Sequence, residues 1–198
     1  MHTKKRIAIL LFDDVEVLDF TGPFEVFSVT NELADYTLMD IYTVAARKGS
    51  ITAKNGLTVI PDYEISQAPE PDLLIIPGGD GTRPILQQDR IITWIITTSR
   101  KAEKILSVCT GSLVLAQCGL LNGLQATTHH QAFNELQRLA PETEIVTESR
   151  FVDNGKILTS GGISAGIDMS LYTIEHFYGK ETAARTAAYM EYPYTSSS

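Results

Sequence analysis

Short apolar segments alternate with helix-like segments along most of this chain, and this alternation limits the folds that it can adopt. Residues 7–12, 72–76 and 105–108 consist almost entirely of apolar residues, so a strand at any of them would be apolar on both faces. Such strands, joined by helices, are typical of a parallel sheet that helices cover on both sides. We therefore predict an α/β fold with a mostly parallel central sheet.

The length and composition indicate one compact unit. The chain has 198 residues, of which 43% are hydrophobic and 20% are charged, as in an ordinary globular domain. It contains no internal repeat, low-complexity tract or linker. We expect a single domain over residues 1–194 and a flexible tail over residues 195–198.

The charge pattern argues against nucleic acid and membrane partners. The formal net charge is −8, and the only cluster of basic residues is at positions 4–6. A nucleic-acid-binding surface needs a larger basic patch than this. The apolar run that follows has six residues and ends at Asp13 and Asp14, so it is too short for a signal peptide or a membrane span. We expect a cytoplasmic protein that binds neither nucleic acid nor membrane.

Periodicity and turn residues predict the individual elements. Further strands are predicted at residues 39–45, 126–128, 144–147, 151–152 and 156–159, with a hairpin excursion at 48–59. Helices are predicted at residues 23–32, 89–102, 110–118, 131–139, 164–178 and 181–190. In parallel sheets of this kind, the binding site lies beyond the carboxyl ends of the strands. The loops expected at that edge are residues 13–22, 77–82, 109–112, 128–130 and 160–164.

Cys109 occupies the turn between a predicted strand and a predicted helix. Unpaired N–H groups at a helix start favour a thiolate, and Gly111 and Ser112 permit a sharp turn. The arrangement is that of a nucleophile elbow with sulfur in place of oxygen. The alternative is a small buried apolar residue. Cys118, nine residues on, is too far along the same helix to form a disulfide with Cys109 and is expected to be an inert thiol.

Asp19 has two competing interpretations. It precedes Pro23 and is suited to cap a helix that begins there. Alternatively its carboxyl lies against the Cys109 sulfur. A carboxyl beside a thiolate is shifted towards its protonated form by like-charge repulsion, and it then serves as a general acid.

Several small and polar residues in the same predicted loops are candidates for the pocket. The N–H groups of Gly79 and Thr110 are expected to form an oxyanion-type hole. Gly162 and Ile163 are expected to line the pocket, and His129 faces it in the functional interpretation. His129 has no acidic or cysteine neighbour at metal-ligand spacing, so no metal site is expected. No glycine segment matches a dinucleotide or phosphate-loop fingerprint.

Five segments of the chain resemble the ThiJ/PfpI superfamily, also called the DJ-one superfamily, and most closely its isocyanide hydratase branch. The segments are residues 11–12 with 18–23, 76–79, 107–112, 126–129 and 161–168. The resemblance implies a flavodoxin-like αβα sandwich, usually a homodimer, with Cys109 as nucleophile and Asp19 as its carboxyl partner. Thr110 stands where PfpI-type peptidases carry a histidine, which argues against a Cys-His peptidase.

The resemblance also implies a reaction that needs no cofactor. Cys109 would attack the terminal carbon of a small electrophilic isocyanide, and Asp19 would supply a proton and then activate water to release an N-substituted formamide. Three alternatives stay open: an oxidation-sensing protein in which Cys109 becomes a sulfinate, a glyoxalase or deglycase, and the sensor half of an AraC-type regulator. We disfavour the last because the sequence stops at Ser198 without a DNA-binding segment.

Overall fold

The computed structural model describes residues 4–195, and residues 196–198 of the predicted flexible tail lie outside that range. The strands are Lys5–Leu11 (β1), Met39–Ala45 (β2), Ile51–Thr52 (β3), Thr58–Val59 (β4), Tyr63–Glu64 (β5), Leu73–Ile76 (β6), Lys104–Val108 (β7), Gln125–Ala126 (β8), Glu144–Ile145 (β9), Phe151–Asp153 (β10) and Ile157–Ser160 (β11). The α-helices are Val17–Glu32 (α1), Thr82–Ile85 (α2), Asp89–Lys101 (α3), Gly111–Gln117 (α4), Phe133–Leu139 (α5), Ala165–Tyr178 (α6) and Lys180–Tyr189 (α7).

A seven-stranded sheet forms the centre, in the order β10-β11-β7-β6-β1-β2-β5. All neighbours pair in parallel except β10, which runs antiparallel to β11 at one edge. Helices α1, α6 and α7 pack together, and α4 packs against α2 and α5. The predicted α/β fold with a mostly parallel central sheet is confirmed.

The middle of the sheet is the core. Every residue of β6 is inaccessible to solvent, as are residues 7–11 of β1. Strands buried on both faces explain why these segments carry unbroken apolar runs. The chain passes from β1 to β2 in one direction and from β6 to β7 in the other, so strand order reverses between β1 and β6. The carboxyl ends of these strands and of β7 therefore border the crevice where such folds bind ligands.

Helix α1 differs from its prediction in a way that matters for the site. It begins at Val17 rather than at Pro23, so Asp19 lies in its first turn and not in a loop. Pro23 is tolerated inside the helix, although it has no N–H to donate to the carbonyl of Asp19. Two short elements, β5 and α2, were not predicted because each is too brief to show a periodic pattern.

Candidate active site

Cys109 sits at a sharp, strained turn between β7 and α4. Its φ angle is 55°, in the left-handed region that non-glycine residues avoid at a cost of roughly 1–2 kcal/mol. Hydrogen bonds on both sides of the residue hold this conformation. Its N–H donates to the carbonyls of Ser160 (3.2 Å) and Gly161 (3.1 Å), and its carbonyl accepts the hydroxyls of Thr128 (2.9 Å) and Ser112 (3.2 Å). Cys109 is thus held as a nucleophile elbow would be.

Asp19 lies beside this thiol and is completely buried. Its Oδ2 accepts the N–H of Gly78 at 3.0 Å, and its carboxyl interacts with the Cys109 thiol. Its other oxygen, Oδ1, has no hydrogen-bond partner of regular geometry within residues 4–195. Glu16 occupies the N-cap position of α1, and no N–H of that helix bonds to the Asp19 carboxyl in this structure. The structure therefore favours the interpretation that pairs Asp19 with Cys109 over the capping interpretation.

Burial is the main influence on the proton affinity of Asp19. It raises the pKa of this carboxyl from 3.8 to about 7, against the opposing effect of the Gly78 N–H. The charge of Glu16 raises the pKa further, while the Cys109 thiol and the N–H of Ile163 lower it. The predicted upward direction is correct, but its main cause is the loss of water and not repulsion by a thiolate.

The predicted thiolate at Cys109 does not fit the structure. Burial, followed by the negative charge of Asp19, raises the pKa of this thiol to about 12. The N–H groups of Thr110 and Ile163 oppose the rise without overcoming it. Helix α4 has only seven residues, and Cys109 is only 7% exposed, so the helix start offsets little of the desolvation. At neutral pH the sulfur is therefore a thiol, and the Asp19 carboxyl that interacts with it is able to take its proton.

Gly79 lines the cavity above Cys109, but its N–H does not face the cavity as predicted. That N–H donates to the Thr110 hydroxyl at 2.9 Å, and the Thr82 hydroxyl donates to the Gly79 carbonyl at 2.8 Å. The glycine that meets Asp19 is its neighbour Gly78. The signal for Gly78 was present in the same Gly-Gly pair, but the sequence does not show which of the two amides turns inwards.

Ile163 supplies a third N–H directed at the Cys109–Asp19 pair, beside those of Gly78 and Thr110. Its φ angle is 54°, which is unusual for a β-branched residue. The loop that contains it is held from outside by Arg150. The Arg150 carbonyl accepts the N–H of Gly161 at 2.8 Å, and its guanidinium donates to the Ser164 hydroxyl at 3.2 Å and to the Asp168 carboxylate.

His129 lines the cavity, and its ring stacks on that of His130 with 4.2 Å between the centroids. Burial, and then the charge of His130, lowers the pKa of His129. Gly162 lies behind this ring: a Cβ there would stand 2.3 Å from the His129 Cδ2 atom. Gly162 therefore makes space for the histidine and does not itself line the cavity.

The cavity has a volume of about 330 Å³ and opens beside Cys109, Thr110 and Ile163. Charged side chains that were not predicted as site residues complete its wall. They are Glu16, Lys54, Asp80 and Arg83. Lys54 comes from the excursion around β3 and β4, where the sequence indicates a turn but not the surface against which it packs.

Within residues 4–195, no group of three or more His, Cys, Asp or Glu side chains is arranged to hold a metal ion. Cys109 and Cys118 are both free thiols. In the same part of the chain, no helix combines the length and the apolar character that a membrane crossing requires.

Comparison with known proteins agrees with this geometry. A profile of the DJ-1/PfpI family matches residues 5–176. The chain belongs to the DJ-1/PfpI family. Among curated relatives, an isonitrile hydratase of Pseudomonas putida is 34% identical over 187 residues, which are 94% of this chain and 78% of that protein.

Two other matches are a transcriptional regulator and a solved structure. The HTH-type transcriptional regulator GbdR of Pseudomonas aeruginosa is 28% identical over 91% of this chain, which spans only 48% of that regulator. Among solved structures, a ThiJ/PfpI family protein from Pseudomonas syringae superposes with a TM-score of 0.86 at 29% identity. The match covers 98% of this chain and 77% of that one.

Proposed function

We propose that this protein hydrates isocyanides to N-substituted formamides, with Cys109 as nucleophile and Asp19 as the group that moves protons. The observation that carries the proposal is the buried carboxyl of Asp19 beside the thiol of a strained elbow, open to a small cavity. The isonitrile hydratase of Pseudomonas putida supports the choice of substrate, because isonitrile and isocyanide are two names for one functional group.

The first step adds the thiol across the terminal carbon of the isocyanide. Sulfur attacks that carbon as the Asp19 carboxylate takes the proton from Cys109. Asp19 then passes the same proton to the carbon, which leaves a neutral thioimidate, Cys–S–CH=N–R. A carboxyl whose pKa is about 7 suits both transfers, because it accepts and returns a proton near neutral pH. The N–H groups of Thr110 and Ile163 stabilise the negative charge on sulfur during the attack.

The second step uses water and regenerates the thiol. Asp19 takes a proton from water, the oxygen bonds to the thioimidate carbon, and the proton moves to nitrogen. The resulting Cys–S–CH(OH)–NH–R collapses: the C–S bond breaks, the hydroxyl proton returns to sulfur through Asp19, and the formamide leaves. Water and isocyanide are the only reactants consumed, so the cycle balances without a cofactor.

The test is hydration of cyclohexyl isocyanide by purified protein, with the formamide quantified by chromatography. We expect turnover by the wild type and by Cys118→Ala, and loss of at least a thousandfold in Cys109→Ala and Asp19→Asn. Turnover by Cys109→Ala at the wild-type rate would refute the proposal. Methylglyoxal is assayed in parallel, and its consumption without isocyanide hydration would indicate a glyoxalase or deglycase. Stoichiometric oxidation of Cys109 by mild peroxide, without isocyanide turnover, would indicate the oxidation sensor instead.

A second candidate is a ligand-binding sensor without turnover, as in the corresponding part of a transcriptional regulator. It is favoured by the match to GbdR, which covers 91% of this chain. Calorimetry distinguishes the sensor from the enzyme. A sensor binds the isocyanide or the formamide at one site per chain, and the isocyanide concentration does not fall with time.

We also propose a homodimer. Leu18 and Phe24 of α1 are 38% and 37% exposed, and a second copy would cover such apolar side chains. Analytical ultracentrifugation tests this, with a single species at the monomer mass of 21.8 kDa as the contrary result.

A further inference from the structure

Resting on the proposed function, we propose that the isocyanide taken by this cavity carries a polar but uncharged substituent. Cys109 and the surrounding N–H groups recognise the reactive carbon. Because every isocyanide has this carbon, these contacts do not distinguish one isocyanide from another. The substituent R must extend away from the sulfur and past the cavity wall. The wall therefore determines which R is accepted.

That wall is unusually polar for a small-molecule site, since such sites are mostly apolar with a few polar groups. Its charged residues are Glu16, Lys54, Asp80 and Arg83, and Gln131 adds an amide. The apolar side chains among the lining residues are Ala132 and Ile163. An alkyl substituent would displace water from charged groups and offer them no hydrogen bond in return.

Lys54 is built into this wall and is not a free surface lysine. Its backbone N–H donates to the carbonyl of Val15 at 2.9 Å, which fixes the turn above the cavity. Its ammonium lies 3.2 Å from Asp80 Oδ2 and 3.7 Å from Glu16 Oε2. The side chain keeps 40% of its surface exposed, so the ammonium retains room for a third acceptor.

The balance of charge excludes an anionic substituent. Arg83 is paired with Glu135 at 2.7 Å, so three carboxylates (Glu16, Asp80 and Glu135) offset the two cations Lys54 and Arg83. The protein as a whole carries a net charge of −8. A substrate carboxylate would therefore enter a region whose cations are already neutralised. An ether, hydroxyl or amide oxygen can accept from Lys54 or Arg83 without adding charge.

Matched isocyanides test this inference directly. Methoxyethyl isocyanide and butyl isocyanide have the same number of non-hydrogen atoms, and isocyanoacetate supplies the anion. We expect kcat/KM for the methoxyethyl compound to exceed that for the butyl compound by about three- to tenfold, the effect of one hydrogen bond, with isocyanoacetate the poorest. A preference for butyl isocyanide or isocyanoacetate overturns the inference and leaves the proposed function standing. If none of the three compounds is hydrated, the proposed function is overturned.

A double variant assigns the preference to the wall. Lys54→Met with Asp80→Asn removes one charge of each sign, so the net charge is unchanged. We expect the methoxyethyl-to-butyl ratio to fall towards one, because the variant loses the wall ammonium that has room for a further acceptor. The matched control is Lys101→Met with Glu70→Gln, an ion pair that does not line this cavity, and it should keep the wild-type ratio. A ratio that survives in the Lys54 and Asp80 variant contradicts the assignment.

Discussion

Replacing Gly78 by alanine is the most direct test of how the Cys109–Asp19 pair is held. A Cβ at Gly78 would stand 2.6 Å from the Thr110 backbone nitrogen, 2.7 Å from its Oγ1 and 2.8 Å from Asp19 Oδ2. All three distances are shorter than real Cβ contacts. The backbone nitrogen belongs to a turn fixed by several hydrogen bonds, so the carboxyl of Asp19 is the group that must move.

The cost has two parts. Inserting a methyl group into a packed interior destabilises a protein by about 1–3 kcal/mol. Displacing Asp19 from the Gly78 N–H also removes a charge-assisted hydrogen bond worth about 1.5–3 kcal/mol. We expect the free energy of unfolding to fall by about 3–5 kcal/mol. Turnover should fall about a hundredfold, because Asp19, the proposed proton carrier, no longer meets the sulfur.

Urea unfolding and isocyanide hydration measure the two effects on the same protein. The Gly78 N–H lowers the pKa of Asp19, so its loss should move the acid limb of the pH–rate profile above pH 7. Gly123→Ala is the control, because a Cβ there meets no atom within 4 Å while its φ of +73° still strains an alanine. It should cost roughly 1–2 kcal/mol of stability and leave turnover unchanged. Wild-type turnover in Gly78→Ala would show that Asp19 does not depend on this contact.

Three further predictions concern single residues. Because the pKa of Asp19 is raised, the folded wild type binds more protons than the unfolded chain between about pH 4 and pH 7. The free energy of unfolding of the wild type should therefore fall as pH rises through that range, by at most about 1.4 kcal/mol per pH unit. Asp19→Asn removes this pH dependence, so urea unfolding should show the stability of the variant increasing relative to that of the wild type as pH rises. A stability difference that stays constant with pH contradicts the burial argument. Arg150→Met releases the loop of Ile163, so kcat should fall about tenfold. The free energy of unfolding should change by less than about 1 kcal/mol, because Arg150 in its ion pair with Asp168 is exposed. An unchanged kcat would show that the loop keeps its conformation without Arg150. Cys118→Ser should leave turnover unchanged in the same assay, because this thiol bonds only weakly to the Ile92 carbonyl at 3.9 Å; a large loss of kcat would count against that view.

Much of the fold could be predicted because buried parallel strands leave a strong local signal. The strand at residues 39–45 and the helix starting at Asp89 match their predicted limits closely, since the alternation of apolar and turn residues marks both ends. The start of α1 could not be predicted in the same way. Proline favours the first turn of a helix, and only the packing of α1 against the sheet shows that Pro23 lies in its second turn.

The outline of the candidate site could be predicted from the sequence, but its contacts could not. Strand ends indicated which loops meet, and they do bring Asp19, Cys109 and Ile163 together. Whether Gly78 or Gly79 faces the carboxyl depends on backbone rotation, which leaves no trace in residue type. The proton state of Cys109 depends on burial, which outweighs the short helix that suggested a thiolate. Lys54 reaches the wall through a backbone bond to Val15, a long-range contact with no local signature.

The hydrogen-bond donors around the Cys109–Asp19 pair are main-chain groups: the N–H of Gly78 serves Asp19, that of Thr110 serves Cys109, and that of Ile163 serves both. A main-chain donor survives exchange of its own side chain for any residue except proline, provided that the backbone keeps its path. Mutation can therefore remodel the outer wall while the inner chemistry is retained. One scaffold can in this way acquire new ligands by small steps, and directed evolution of this protein should begin at the wall residues Lys54, Asp80 and Arg83.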